Sequence, residues 1–400
     1  MKMNKKIYLL LICAACLGLT ACSTQTVKST TITEALIEQS NISEDELLDI
    51  GVAVFNPGFD EIDEDQAELT FGDVRMAETY YTANLLSETL QSTGNWGVVR
   101  VIPDELSSSD IAVLGTILQS DGETMLVHIT VHDSSGQLWI DKNYEEVVSR
   151  YSYDNRLQNS RDSFQGLYNR IANDILRYRQ QNLSREDLLN IRTISQIQFA
   201  RSFAPQAFDE YLTTDRNGIL QVQRLPAQND PLLSRIETIR ERDYLYVDTM
   251  QDYYTNFVRQ MEDPYTEFRR LSYDEVMRLD RLQREARRNM ILGIASIVGG
   301  LAATQSNSSV ASLGTYAGIL GGGWLIKESF RAGDEALLHV EALAELGQSL
   351  SNEVAPQTIE LDERSVTLSG NVETQYAQWR EILADMYANE IGAPASTEDM

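Results

Sequence analysis

Few side chains in this chain of 400 residues could bind a metal, act as nucleophiles or carry a covalent group: three histidines, three cysteines and an excess of carboxylates. His128 and His132 fall in a segment that alternates Met125, Val127, Ile129 and Val131 with Leu126, His128, Thr130 and His132. On a strand both imidazoles lie on one side, about 13 Å apart at ~3.3 Å per residue, too far to share an ion. His339 has no His or Cys near it at helical spacing. Asp60, Asp63, Asp65 and Glu68 could offer oxygens to calcium. The run lacks the glycine and closing glutamate of an EF-type loop, so it reads as a solvated acidic loop. Gly-x-Ser-x-Gly and Gly-x-x-x-x-Gly-Lys are absent, and Gly321-Gly322-Gly323 sits within apolar sequence rather than a phosphate loop. With 60 acids, carboxylate pairs arise by number alone and single out no glycosidase pair. The sequence therefore predicts a non-enzyme with no catalytic residues, metal or cofactor.

One residue does carry covalent chemistry. Lys2, Lys5 and Lys6 precede an apolar stretch from Ile7 to Leu19, and Leu19-Thr20-Ala21-Cys22 follows. A basic head, a core of about 13 apolar residues and small residues before a cut make a removable leader, where a span needs ~20. Leu-Thr-Ala-Cys also resembles a bacterial lipobox, which implies cleavage before Cys22, acylation of its thiol and attachment to a membrane through that lipid. Cys16 fits less well, because Cys13 stands where a lipobox wants leucine and the apolar core would be cut short. All three cysteines lie in this segment, so the mature chain has no free thiol and no disulfide to stabilise it. Ser23 rather than aspartate follows the cysteine. Similarity to enterobacterial sorting rules then implies the outer membrane, facing the periplasm.

The formal net charge is −27, and removing the leader lysines makes it more negative. A surface this acidic repels phosphate backbones, which argues against nucleic-acid binding.

The elements behind these residues read as an α+β chain. After the leader (1–21) and a Ser/Thr/Glu-rich flexible tether (22–46), Asp49 to Phe55 reads as a strand ended by Asn56-Pro57-Gly58. Met76 to Ser92 carries Ala77, Tyr80, Tyr81, Leu85, Leu86 and Leu90 at helical spacing. Trp96–Ile102, Ile111–Leu118, Thr124–His132 and Gln137–Tyr144 read as strands, the last three as a meander with Asp/Gly turns, and Asp162–Arg179 as a helix. Together these predict an α/β layer unit over 47–180.

That unit resembles a known group. The strand Ile50-Gly-Val-Ala-Val-Phe55 leads to a helix ending Leu-Gln-Ser-Thr-Gly94 and to Trp-Gly-Val-Val-Arg-Val101. Ala112-Val-Leu-Gly-Thr-Ile117 and Val131-His-Asp-Ser-Ser-Gly-Gln-Leu-Trp139 follow. The pattern is similar to the periplasmic domain shared by the curli secretion channel lipoprotein, penicillin-binding-protein activator lipoproteins and the TolB amino-terminal domain. It covers about a third of the chain. The resemblance implies a non-enzymatic unit that docks envelope proteins or assembles into rings. The acidic insert at 58–73 departs from the pattern.

Residues 183–289 read as helical. Ser184-Arg-Glu-Asp187 and Ser272-Tyr-Asp-Glu275 look like helix-opening capping boxes, and Val247, Met250, Tyr254, Phe257 and Met261 form a seam expected to end at Pro264. Next comes a glycine-bearing apolar hairpin, 290–327, with arms Met290–Thr304 and Val310–Ile326 around a polar tip. Each arm spans ~22–26 Å, short of a ~30 Å hydrocarbon core. Small residues allow close helix contact, so Gly293, Gly299, Gly300, Gly314, Gly318 and Gly322 are candidate membrane or oligomer contacts; burial inside a soluble domain is the alternative. The remainder, 328–390, reads as a helix (334–350), a hairpin of Thr358–Leu361 with Val366–Ser369, and a helix bearing Tyr376, Trp379, Ile382, Leu383 and Met386; 391–400 is a polar tail. The expected function is that of a lipid-anchored assembly, docking or regulatory factor for an envelope complex, with a possible homo-oligomer among its states. The rivals are an oligomeric pore or secretion-accessory component and, against the missing motifs, a cell-wall hydrolase.

Overall fold

A computed structural model describes residues 32–38, 42–61, 71–103, 109–153, 162–225, 231–301, 342, 344–345, 357–361 and 364–390. The chain is a mixed α+β protein, with one five-stranded sheet and six helices among the described residues. Strands β1 (Ile50–Ala53), β2 (Val99–Ile102), β3 (Ile111–Ser120), β4 (Thr124–Asp133) and β5 (Leu138–Val147) lie in the order β2-β1-β3-β4-β5. β1 is parallel to both neighbours, and β3, β4 and β5 form the antiparallel meander.

The alternation in β4 fixes the two faces. Met125, Val127, Ile129 and Val131 are buried at 0–1% exposure, while Leu126, His128, Thr130 and His132 are half-buried on the other side. The buried face packs against α1 (Gly72–Ser92) and α2 (Gln165–Asn182), whose Leu86, Leu90, Leu167 and Ile171 are fully buried. Gly115 in β3 has no side chain because the Phe55 ring occupies the space that a Cβ would need. At the far turn of the meander, Asp133 Oδ1 accepts from the Ser135 N–H at 2.8 Å and its Oδ2 from the Trp139 indole at 2.8 Å. That carboxylate locks a turn whose Gly136 has φ +85°.

The tether expected through residue 46 is not free along its whole length. From Thr33 to Glu38 the chain lies along α2. Asn169 donates to the Thr33 carbonyl at 2.7 Å; Asn173 donates to that of Glu34 at 2.9 Å and accepts from the Leu36 N–H at 2.6 Å. Asn95 closes the far end, donating to Leu36 O at 2.8 Å and accepting from Glu38 N–H at 2.8 Å, while Arg179 pairs with the Glu38 carboxylate. A polar composition looked like a tether, but buried amides satisfy its backbone instead.

Beyond α2 come α3 (Arg185–Phe203), the short α4 (Pro205–Phe208), and a hairpin of β6 (Leu212–Thr214) and β7 (Leu220–Val222). The Ser184 capping box is present, with Asp187 bonding back to the Ser184 backbone at 2.8 Å. The hairpin corrects the expectation of an all-helical segment. Its turn is set by Asp215, which accepts from the Asn217 and Ile219 N–H groups, and by Gly218 at φ +87°.

A second correction concerns α5, one helix of 71 residues from Pro231 to Leu301. It neither stops at Pro264 nor restarts at Ser272. Proline inside a helix costs about 3 kcal/mol, and the buried ring of contacts around it outweighs that loss: Tyr254, Met261, Tyr265 and Phe268 all lie at or below 6% exposure. Ser272, offered as a cap, is an interior position, 8% exposed. A hairpin of β8 (Gln357–Leu361) and β9 (Arg364–Leu368) precedes α6 (Val372–Glu390), which buries Tyr376, Trp379 and Leu383.

The hydrophobic core runs without a break from Leu48 in the α/β part to Tyr387 in α6. α5 makes that continuity. Its Gln251 side chain accepts from Val101 N–H at 2.9 Å and donates to Val101 O at 2.7 Å, closing the free edge of β2. Tyr254 and Phe257 then pack on Tyr80, and Tyr265 on Tyr81.

Candidate functional site

Two places gather polar side chains that could meet a partner or ligand. The first is the outer face of the sheet. Register across β3, β4 and β5 aligns Thr116, His128 and Asn143 in one row, and Leu114, Thr130 and Asp141 in the next. His128 Nδ1 lies 2.7 Å from Asn143 Oδ1 and Nε2 lies 3.2 Å from Asp141 Oδ1. The ring is thus held between two β5 side chains. His132 sits on the same side, as the alternation implied, beside Leu138, which is 46% exposed. Leu114 and Leu126 are half-buried on this face. The surface offers leucines, hydroxyls and carboxylates in rows: chemistry suited to binding a complementary surface.

The second is a small pocket of about 20 Å³ between the start of β1, β2 and α5, lined by Asp49, Gly51, Arg100, Ser109, Asp243 and Tyr244 among others. Burial pushes the Asp243 carboxyl up to about 6, opposed by Arg380, whose guanidinium lies 4.0 Å away. A raised carboxyl beside a pocket is what a general acid would need. Its partners point elsewhere, however. Tyr376 and Arg380 belong to α6, so Asp243 joins α5 to α6. Burial also raises Asp110, against the Asp49 N–H donating to it at 3.0 Å. Arg100 is held by Asp248 at 2.6 Å and lies over the Tyr244 ring at 4.7 Å. The charged groups here are occupied in holding elements together.

Of the residues singled out in the sequence, Gly293, Gly299 and Gly300 lie on the helical backbone of α5. Cys22, Gly314, Gly318, Gly322 and His339 lie outside the described residues, as do Asp63, Asp65 and Glu68. Among the described residues no group of three or more His, Cys, Asp or Glu could hold a metal ion. None of the described helices is long and apolar enough to cross a membrane.

The sequence reading missed a deeply buried polar cluster. Arg75 and Glu78 of α1 pair at 2.9 Å with side chains 2% and 3% exposed. Tyr265 donates to Glu78 at 2.7 Å, Tyr81 donates to Asp162 at 3.1 Å, and Arg269 clasps Asp162. Burial raises both phenols, so they remain protonated donors. A helical spacing in which Glu78 and Tyr81 recur on the face of α1 that carries Tyr80 was the available signal.

Compared with family models, curated proteins and solved structures, the chain finds no match.

Proposed function

We propose that this protein is a non-catalytic, lipid-anchored periplasmic factor of the outer membrane that docks an envelope protein for assembly or regulation. The observation that carries the reading is the outer sheet face, where Leu114 and Leu126 stand half-buried among Thr116, Thr130 and the exposed Asp141 and Glu145. In a chain with net charge −27 such a face fits a partner surface that is basic and apolar. The anchor is the acylated Cys22, and the group that includes the curli channel and penicillin-binding-protein activator lipoproteins supplies the precedent for docking. A photo-crosslinking side chain in place of Leu126 tests it in intact envelopes. A discrete adduct that is absent with the same side chain at exposed Leu225 is expected. Equal labelling at both positions, or none, overturns the docking role.

A second reading is that the glycine-rich hairpin, 290–327, contacts a membrane or another protomer. It is favoured by the continuation of α5 as a helix through Gly293, Gly299 and Gly300 to Leu301.

A further inference from the structure

The strap at 33–38 and the end of α5 leave the molecule on the same side. The strap runs parallel to α2, with Thr33 at Asn169 and Glu38 at Arg179, so the chain leading back to Cys22 departs past the amino-terminal end of α2. α5 runs the other way: it meets β2 at Asp248, Tyr80 at Tyr254, and Phe71 just ahead of α1 at Phe268. It then reaches Asp162, three residues before α2, through Arg269. Tyr273 is its last fully buried aromatic and Met277 the last side chain packed on the core among those described.

The reach of the two elements is matched. From Met277 to Leu301, about 24 residues of helix rise ~36 Å. From Cys22 to Thr33, about 11 residues of chain extend at most ~36–40 Å. A bilayer holding the lipid of Cys22 is therefore within reach of Leu301.

The sequence along that projection suits such a surface. By sequence, residues 278–288 hold Arg278, Arg281, Arg284, Arg287 and Arg288 against Asp280 and Glu285, a local basic excess in a chain whose net charge is −27, with Arg278 itself paired to Glu275 at 2.8 Å. From Met290 to Leu301 no residue is charged: Met-Ile-Leu-Gly-Ile-Ala-Ser-Ile-Val-Gly-Gly-Leu. These residues rise ~18 Å as helix, enough to enter one leaflet. An arginine collar followed by an uncharged tip is the order that an anionic headgroup layer and its acyl chains would take up.

We propose that residues 278–301 of α5 form a prong that docks on the same bilayer that carries the lipid of Cys22. Arginines 278–288 lie at anionic headgroups, and 290–301 enter the acyl layer. The proposal rests on the lipid-anchored reading for the identity of the membrane. It gives the anchor a second foot and turns a single leash into a fixed orientation, with the α2 amino-terminal end toward the lipid.

The test uses the full lipidated protein with Ala295→Cys, the only thiol left once Cys22 is acylated and the leader removed. An environment-sensitive dye on that cysteine is read in vesicles of phosphatidylethanolamine and phosphatidylglycerol containing nitroxide-bearing lipid. Strong quenching is expected at position 295, against none at an Asn143→Cys control on the sheet face. Replacing Arg281, Arg284 and Arg288 by Gln should weaken the docking of position 295 by about fivefold per arginine. No quenching above the control overturns the prong. So does a dye shielded from both lipid nitroxide and aqueous iodide, which would mean a protein occupant such as a second copy. The mass of the intact protein reports the acyl chains on Cys22 separately, so failure of the anchor is distinguished from failure of the prong.

Discussion

Arg269 of the long helix and Asp162 ahead of α2 close a two-pronged ion pair at 3.2 and 2.5 Å, with side chains only 2% and 4% exposed. The pair ties the helical part to the sheet layer at a point where water cannot replace either partner. Removing one member leaves a buried charge alone, at a cost of about 3–5 kcal/mol. Arg269→Met should lower the unfolding free energy read from urea titration by that amount, with Asp162→Asn close behind. The double variant Arg269→Met/Asp162→Leu should recover most of the loss, because two apolar groups of similar volume carry no desolvation debt. A double variant as unstable as the singles would mean that the pair sets geometry and not only charge balance.

The same carboxylate gives a pH dependence, and Asp243 gives the opposite one. Burial raises Asp162, but the Arg269 guanidinium and its hydrogen bonds outweigh that and hold it below the usual range. Its contribution is complete above about pH 4 and is lost as pH falls through the depressed value. Asp243 is buried and raised to about 6. Its contribution is complete below about pH 4 and is lost as pH rises through about 6, by about 3 kcal/mol. Thermal melts should therefore show stability falling between pH 4 and pH 7. Asp243→Asn should reduce that slope, to which the buried Asp110 also contributes, while leaving in place the acid limb, which Asp162 shares with Asp174.

The strap offers a prediction about order near the anchor. Asn173 is 2% exposed and holds two backbone groups of the strap, Glu34 O and Leu36 N–H. Its replacement by alanine removes both bonds, each worth about 0.5–1.5 kcal/mol net. The amides of Leu36 and Glu38 should exchange with deuterium far faster in Asn173→Ala, and proteases should cut between residues 32 and 46. Unchanged exchange at Leu36 would place the strap's hold elsewhere.

How much of this was legible depends on whether the signal was local. The alternation of β4 and the Asp133–Gly136 turn were readable, because period and turn chemistry live within a few residues. The Ser184 cap was readable for the same reason. Pro264 and the Ser272 box misled because local punctuation lost to tertiary burial of Tyr265, Phe268 and Tyr273. The strap was invisible because its polar residues are ordinary and its partners, Asn169 and Asn173, lie more than a hundred residues away. For the candidate face, the side on which His128 and His132 lie was readable. The Asn143 and Asp141 partners needed the β4–β5 register. The Cys22 anchor rests on local sequence alone.

That anchor yields its own measurement. Cys22→Ser removes the thiol on which the acyl chains would be built. The variant should leave the membrane fraction or accumulate as an uncut precursor. Wild-type processing together with wild-type membrane fractionation would remove the lipid from the account.

The last prediction concerns the α/β part taken alone. By sequence, residues 47–180 close a succession of strands and helices that would be expected to melt cooperatively by itself. The packing argues for a different outcome. Excising this part strips α5 from Tyr80 and Tyr81, which are 4% and 3% exposed in the whole chain, and unpairs Asp162 from Arg269. It also removes Gln251 from the edge of β2 and Tyr265 from the buried Glu78. An Asp162 carboxylate left without Arg269, the lost Tyr265 donor to Glu78 and a newly bared aromatic face of α1 destabilise the fragment by several kcal/mol. A domain of this size holds only about 5–15 kcal/mol in total. The fragment should therefore keep much of its secondary structure by far-ultraviolet circular dichroism but melt broadly, and adding residues 231–277 as a separate polypeptide should sharpen the transition. A sharp calorimetric transition of the fragment alone, with the aromatic near-ultraviolet signal intact, would make the α/β part an independent domain and α5 an accessory to it.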